Sequence, residues 1–218
     1  LFLSFAACVT ASVLCYGDVV YDVSLDTAAL VGNSNAPFAV DFQLTSGNTS
    51  SGIVNMVTLS QFAFGTGGSA SAGRPFPDSG NASGDLTSAI TLNTSGGTFF
   101  NEFSQNFAPG DKLTFELDFT NNAQPQPTPD EFTFQLIDKS NAEIPTDDPS
   151  GSNSLIVIDL NGSTLQPKIY MTTGDGVSIT PRLSSPVSSV PEPASGWLLG
   201  IAGIVLAARA KKRAGRSK

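Results

Sequence analysis

Histidine is absent from these 218 residues, and cysteine occurs only at Cys8 and Cys15. Both cysteines lie in an apolar N-terminal stretch that is expected to be removed, which leaves a mature body with no disulfide, no thiol nucleophile and no imidazole. Cys/His zinc sites, Ser-His-Asp hydrolysis and Cys-His catalysis are set aside together, because each needs a ligand or base that the chain does not have. Tryptophan occurs once, at Trp197, and tyrosine three times, at Tyr16, Tyr21 and Tyr170. The body is therefore poor in the aromatic platforms on which sugars commonly stack. Basic residues are scarce too. Outside the last ten positions only Arg74, Lys112, Lys139, Lys168 and Arg182 face eighteen acids between Asp18 and Asp175, a balance of −13. Nucleic-acid affinity rests largely on Lys and Arg displacing counterions, so this acidity excludes nucleic acid as a partner. Its ordinary role is solubility outside the cell. The length allows one good-sized domain with accessory segments.

The N-terminus, LFLSFAACVTASVL over residues 1–14, is too short and too rich in small residues for a membrane span. It fits the apolar core of a secretory signal peptide. There is no opening Met and no basic leader, so the expectation is a signal truncated at its N-terminal end. Cys15 and Gly17 supply small residues three places and one place before a cut that would fall ahead of Asp18. A lipidated cysteine is the competing reading. Cys8 comes too early for it, however, and Cys15 follows Leu14 where a small residue is needed.

The C-terminus has three parts. Val190-Pro191-Glu192-Pro193 opens it, an apolar run from Ala194 to Ala208 follows, and Arg209, Lys211, Lys212, Arg213, Arg216 and Lys218 close it. The prolines cannot extend a hydrogen-bonded ladder and present an extended, accessible segment. The apolar run predicts a transmembrane helix of about 22 Å at 1.5 Å per residue. That is short for a hydrocarbon core of about 30 Å, a gap closed by Trp197 at one interface and snorkelling basic side chains at the other. The basic cluster keeps the last residues in the cytoplasm and leaves the body outside. This tripartite end, Val190 to Lys218, resembles the PEP-CTERM sorting signal of exported bacterial proteins. The resemblance implies an exosortase, a membrane cysteine protease, that cuts near Pro-Glu-Pro. It also implies a diderm host that makes extracellular polysaccharide. An ordinary single-pass anchor that is never cut is the alternative.

Between the ends the hydrophobic period is two. Val19, Tyr21, Val23 and Leu25 alternate with polar residues, as do Phe38, Val40, Phe42 and Leu44. Leu113, Phe115, Leu117 and Phe119 repeat the pattern, and so do Phe132, Phe134 and Leu136. Such alternation predicts strands with one buried face. Further strands are expected over 53–64, 86–92, 98–107, 155–160, 168–172 and 177–180, with turn chemistry at Ser46-Gly47-Asn48, Pro109-Gly110-Asp111 and Asn161-Gly162. Nine or ten strands at this spacing predict an all-β body over 18–180, two packed sheets in a β-sandwich of jelly-roll type. Residues 66–84 and 121–130 read as mobile loops, and 181–190 as a Ser/Pro spacer ahead of the sorting tail at 191–218. The body is also similar to that of one uncharacterised group of PEP-CTERM proteins. The stretches that carry the likeness are Tyr21 to Thr27, Asn55 to Gly65 and Asp130 to Leu136, and it implies no activity.

Catalytic residues and cofactors are expected to be none. Glycosidase chemistry survives the missing histidine, because it needs only two carboxylates, and Glu102, Glu116 and Glu131 are available. Glu116 and Glu131 nevertheless fall on polar strand faces, where solvated acids are usual. Calcium could draw on Asp147, Asp148, Asp159 and Asn161, but no EF-hand loop is present and turn formation is the commoner role of such residues. Asn81-Ala82-Ser83 and Asn93-Thr94-Ser95 are acceptor triplets that a Ser/Thr-rich chain generates by chance. The expectation is a non-enzymatic surface or matrix protein, partnered by exosortase, export machinery and membrane, with a carbohydrate-binding module as the alternative.

Overall fold

Alternating residues fold into alternating strands. The computed structural model describes residues 19–50, 52–122, 128–162 and 165–188. The signal segment with Cys15, Gly17 and Asp18 lies outside these residues. So do Val190, Pro191, Glu192, Pro193, Trp197, Arg209, Lys211, Lys212, Arg213, Arg216 and Lys218. Among the described residues, no helix is long and apolar enough to cross a membrane. The described residues form thirteen strands in order: β1 (Val19–Asp26), β2 (Phe38–Thr45), β3 (Met56–Ala63), β4 (Ser69–Ala70), β5 (Ser83–Gly84), β6 (Ala89–Asn93), β7 (Phe100–Ala108), β8 (Lys112–Phe119), β9 (Asp130–Ile137), β10 (Ile156–Leu160), β11 (Lys168–Ile169), β12 (Arg182–Leu183) and β13 (Val187–Ser188).

They build two antiparallel sheets. Sheet one runs β12-β1-β8-β3-β6-β5, with β13 also on β1; sheet two runs β11-β10-β9-β2-β7-β4. The partners β1·β8, β2·β7 and β3·β6 are those of a long antiparallel ribbon folded over on itself, the pairing logic of a jelly roll. Strands β9 to β11 widen sheet two beyond β2. The inner faces meet in a core rich in phenylalanine. Phe42 sits at its centre, with ring centroids 5.0 Å from Phe134, 5.5 Å from Phe115, 6.3 Å from Phe62 and 6.4 Å from Phe132. Offset and edge-on contacts of this kind add to the area that the rings bury.

A bulge tunes this core. The β3–β8 register shifts between Ser60 and Ala63, and Gln61 takes a positive φ of 56°. The extra residue moves the inward phase from Val57 and Leu59 to Phe62 and Phe64, which pack against the core.

Three expectations are corrected. Residues 66–84, expected as a mobile loop, are tied to the sheets. β4 pairs with β7, β5 with β6, and Ser79 bridges Glu102. The glycines expected to loosen the segment instead let it lie close: a Cβ on Gly68 or Gly110 would come within 2.2 Å or 2.1 Å of the Phe64 carbonyl oxygen. Residues 177–180, expected as a strand, form none; they follow the turn at 174–177 and are held by Thr172. Its hydroxyl donates to the Val177 carbonyl (3.0 Å) and accepts from the Ile179 N–H (2.8 Å), burying Val177 and Ile179 without a ladder. The Ser/Pro stretch read as a spacer carries β12 and β13, both laid along β1.

Candidate functional site

The outer face of sheet two is where the polar groups gather. Asp41 and Gln43 point outward from β2, since alternate residues share a face. Ser104 and Gln135 flank Asp41, and Glu102 and Thr133 flank Gln43, on the neighbouring strands. Two segments roof this layer. On one side Phe76 and Ser104 exchange bonds, the Phe76 N–H donating to the Ser104 hydroxyl (3.1 Å) and that hydroxyl donating to the Phe76 carbonyl (3.2 Å). On the other, the Gln135 amide donates to the Ser152 carbonyl, and Glu143 bridges Ile137 at the end of β9. Between the roof segments is an open hollow of about 670 Å³, lined by Phe76, Pro77, Asp78, Ser79, Gly80, Glu102 and Glu143.

Asp41 is only 1% exposed on this face. The Gln43 side-chain amide donates to Asp41 Oδ2 (2.7 Å), Gln135 Oε1 (3.0 Å) and Glu102 Oε1 (3.4 Å), one amide shared by three acceptors. Asp41 Oδ1 has no hydrogen-bond partner among the described residues. Burial, with the negative charges of Glu102 and Glu143 adding to it against the Gln43 hydrogen bond, pushes the Asp41 carboxyl up to about 7. Burial and Glu143 raise Glu102 as well. A buried carboxyl in this setting takes up a proton instead of holding an isolated charge.

Of the other candidate acids, Glu131 shares this face of sheet two and Glu116 does not. Glu116 lies on sheet one, where it accepts from Gln61 Nε2 (2.9 Å), so the core separates it from Glu102. Glu131 stands opposite Asp159 on β10, and burial followed by the Asp159 charge raises its pKa. Asp159 is itself paired with Lys168 at 3.2 Å.

The four calcium candidates are not gathered into one site either. Asp147 accepts from the Met171 N–H (2.7 Å). Asp148 accepts from the Ser150 and Ser152 hydroxyls (2.8 and 2.7 Å). Against its burial, these bonds hold its carboxyl below the ordinary value. Asn161 follows β10 at the far end of that strand. Among the described residues, no group of three or more His, Cys, Asp or Glu is placed to hold a metal ion. At the acceptor triplets, Asn81 turns its amide inward to the Ser95 carbonyl (2.8 Å) and the Thr98 hydroxyl (3.0 Å), and Asn93 donates to the Asn81 carbonyl (3.4 Å). Tyr21 is buried in the core and Phe99 is exposed.

The sequence reading missed Asp130. Fully buried at the start of β9, it accepts from the Gly47 N–H (2.8 Å), Asn55 Nδ2 (3.0 Å), the Thr94 hydroxyl (3.3 Å) and the Ser46 hydroxyl (3.4 Å). One carboxylate thereby ties together the loops at one end of the sandwich. The available signal was an acid placed between a proline-rich crossing and an alternating strand, which also describes an ordinary surface aspartate.

At one margin of sheet one, β1 begins and β13 ends on the same rung, Val19 opposite Ser188. Residues 189–213 match the family model of the PEP-CTERM protein-sorting motif. No curated protein and no solved structure matches the chain.

Proposed function

From a chain that carries a PEP-CTERM protein-sorting motif, we infer a non-enzymatic protein of the cell surface or extracellular matrix, sorted through its tail and cut there by an exosortase. The observation that carries this reading is the motif itself, matched at residues 189–213 and followed to Lys218 by basic residues that suit a cytoplasmic end. The motif supports export and exosortase-dependent sorting; cleavage and the final location belong to the proposal. The apolar run from Ala194 to Ala208 holds the chain in the membrane until the cut, and the β-sandwich then makes structural or adhesive contacts outside.

Support for a non-enzymatic body comes from Glu116 lying on sheet one, away from Glu102 and Glu131 on sheet two, and from the lack of histidine in the whole chain. Binding of exopolysaccharide is the second reading. It draws on the hollow beside half-buried Phe76, where Asp78, Glu102 and Glu143 can accept hydrogen bonds from sugar hydroxyls.

The test is intact mass of the protein recovered from its host, fraction by fraction. A form beginning at Asp18 and ending near Pro193 outside the inner membrane is expected. A membrane-bound form retaining Lys218 would refute processing and leave a permanent single-pass anchor. Co-purification of the mature form with polysaccharide, released by competing free glycan, would bring the second reading forward.

A further inference from the structure

The hollow on the outer face of sheet two runs across the strands. Glu143 bridges Ile137, which stands opposite Ala39, and Glu102 stands opposite Gln43. Asp41 lies between Ala39 and Gln43 on β2 and shares their face, so it sits on the diagonal from Glu143 to Glu102. Glu143, β9, β2 and β7 follow one another across the sheet. Three strand spacings therefore put the two glutamate backbones about 14 Å apart across the strands.

This layer is rich in acceptors and short of donors. The Gln43 amide nitrogen has two N–H groups and faces three acceptors, on Asp41, Gln135 and Glu102. The Gln135 amide is turned to the Ser152 carbonyl, and the Ser104 hydroxyl to the Phe76 carbonyl. The Thr133 hydroxyl, also buried, reaches none of these acceptors. Asp41 Oδ1 is left as a buried acceptor with no partner among the described residues. Few buried polar groups in folded proteins stand like this, and one that does asks for an explanation. Burial, with Glu102 and Glu143 adding to it against the Gln43 hydrogen bond, holds the Asp41 carboxyl up at about 7. That rise measures the cost of a further negative charge in this layer, a cost that a positive charge beside it offsets.

The matching chemistry is a hydrogen-bond donor that carries positive charge. A protonated primary amine has three N–H donors and no acceptor. Among the described residues no three acids are placed to hold one metal ion, and Glu102 and Glu143 are spread along the hollow. Such a spread suits amines spaced along a chain. Asp78, the third acid of the lining, is already paired with Arg74. Phe76 and Pro77 add an apolar wall against which sugar rings can rest.

We propose that this hollow takes a sugar chain bearing protonated primary amines, with Glu102 and Glu143 each receiving an amine and Asp41 lying under the chain between them. The proposal rests on the polysaccharide reading above and names the chemistry of its ligand.

The test is isothermal titration calorimetry of the full-length chain in a neutral detergent, at about pH 6 so that the amines are protonated. The probes are a short glucosamine oligomer with free amines and its fully N-acetylated counterpart of the same length. The free-amine oligomer is expected to bind about tenfold or more tightly than the acetylated one, the weight of one charge-assisted hydrogen bond. Glu102→Gln and Glu143→Gln are each expected to weaken its binding by about tenfold. Glu143 is exposed, so the change there leaves the fold in place. Glu116→Gln removes the same charge from sheet one and is expected to leave binding unchanged. Equal binding of the two oligomers overturns the amine site and leaves the polysaccharide reading standing. Binding of neither overturns both. Free-amine binding that all three variants weaken alike, or that none weakens, reflects attraction to the acidic body as a whole and overturns the site.

Discussion

Replacing Asp41 by asparagine tests the polar layer on sheet two. Asp41 is buried, holds its carboxyl at about 7 against an ordinary 3.8, and faces Glu102 from β7 and Glu143 from the segment beside β9. The folded chain thus retains a proton over a range where the unfolded chain releases it. The stability contributed by the protonated carboxyl is fully present below pH 3.8 and is lost as pH rises towards 7. One pKa unit corresponds to about 1.4 kcal/mol, so the loss across this window is about 3–4 kcal/mol.

Asp41→Asn keeps the shape and the acceptor for Gln43 but places an amide N–H₂ where Asp41 Oδ1 has no partner. An unsatisfied buried donor costs about 1–3 kcal/mol at every pH. The protonated Asp41 carboxyl leaves its own O–H without an acceptor in the same place, so the variant should match wild type or fall slightly below it near pH 4 and exceed it near pH 8. Urea midpoints read by far-UV circular dichroism at pH values from 4 to 8 measure this; Trp197, in the tail, makes fluorescence a poor probe of the body. Other groups bend the wild-type curve. Burial raises Glu102 and Glu131, whereas hydrogen bonds from Thr87 lower Asp85, so the gap between the two proteins is the quantity to read. A gap that stays constant across this range would refute the reasoning.

Two further substitutions probe the frame around that layer. Phe42→Ala empties the centre of the ring cluster and should cost about 3–5 kcal/mol, lowering Tm by about 10 °C in a thermal melt, with a smaller loss indicating that the cluster collapses to refill the space. Asp130→Ala strips the acceptor from Gly47, Asn55 and Thr94 and should destabilise by about 3 kcal/mol or more, with faster amide exchange at Gly47; unchanged exchange there would show that the loops hold without it.

The alternation of Phe38 to Leu44, Leu113 to Phe119 and Phe132 to Leu136 was legible because burying one sheet face forces a period of two. The short strands were not, since β4, β5, β12 and β13 are two residues each and too brief to show a period. They lie where a long strand offers unpaired backbone, and that partner is visible only after folding. The bulge at Gln61 left a trace, the change of phase from Leu59 to Phe62, which a reading of 53–64 as one strand passed over. Asp41 was read as the polar partner in an alternating strand. Its confinement between Glu102 and Glu143 depends on segments remote in sequence that roof the sheet.

Export and sorting were determined by the sequence alone. The PEP-CTERM motif at residues 189–213 is a run of adjacent residues and is recognised from local sequence without any tertiary contact. The class of the body was settled in the same way by its period of two. Tertiary structure decided strand order, the buried environments of Asp41 and Asp130, and the pairing of β12 and β13 with β1. Each of these depends on which distant segments meet. Pairing and burial are properties of the meeting, and no local pattern encodes them.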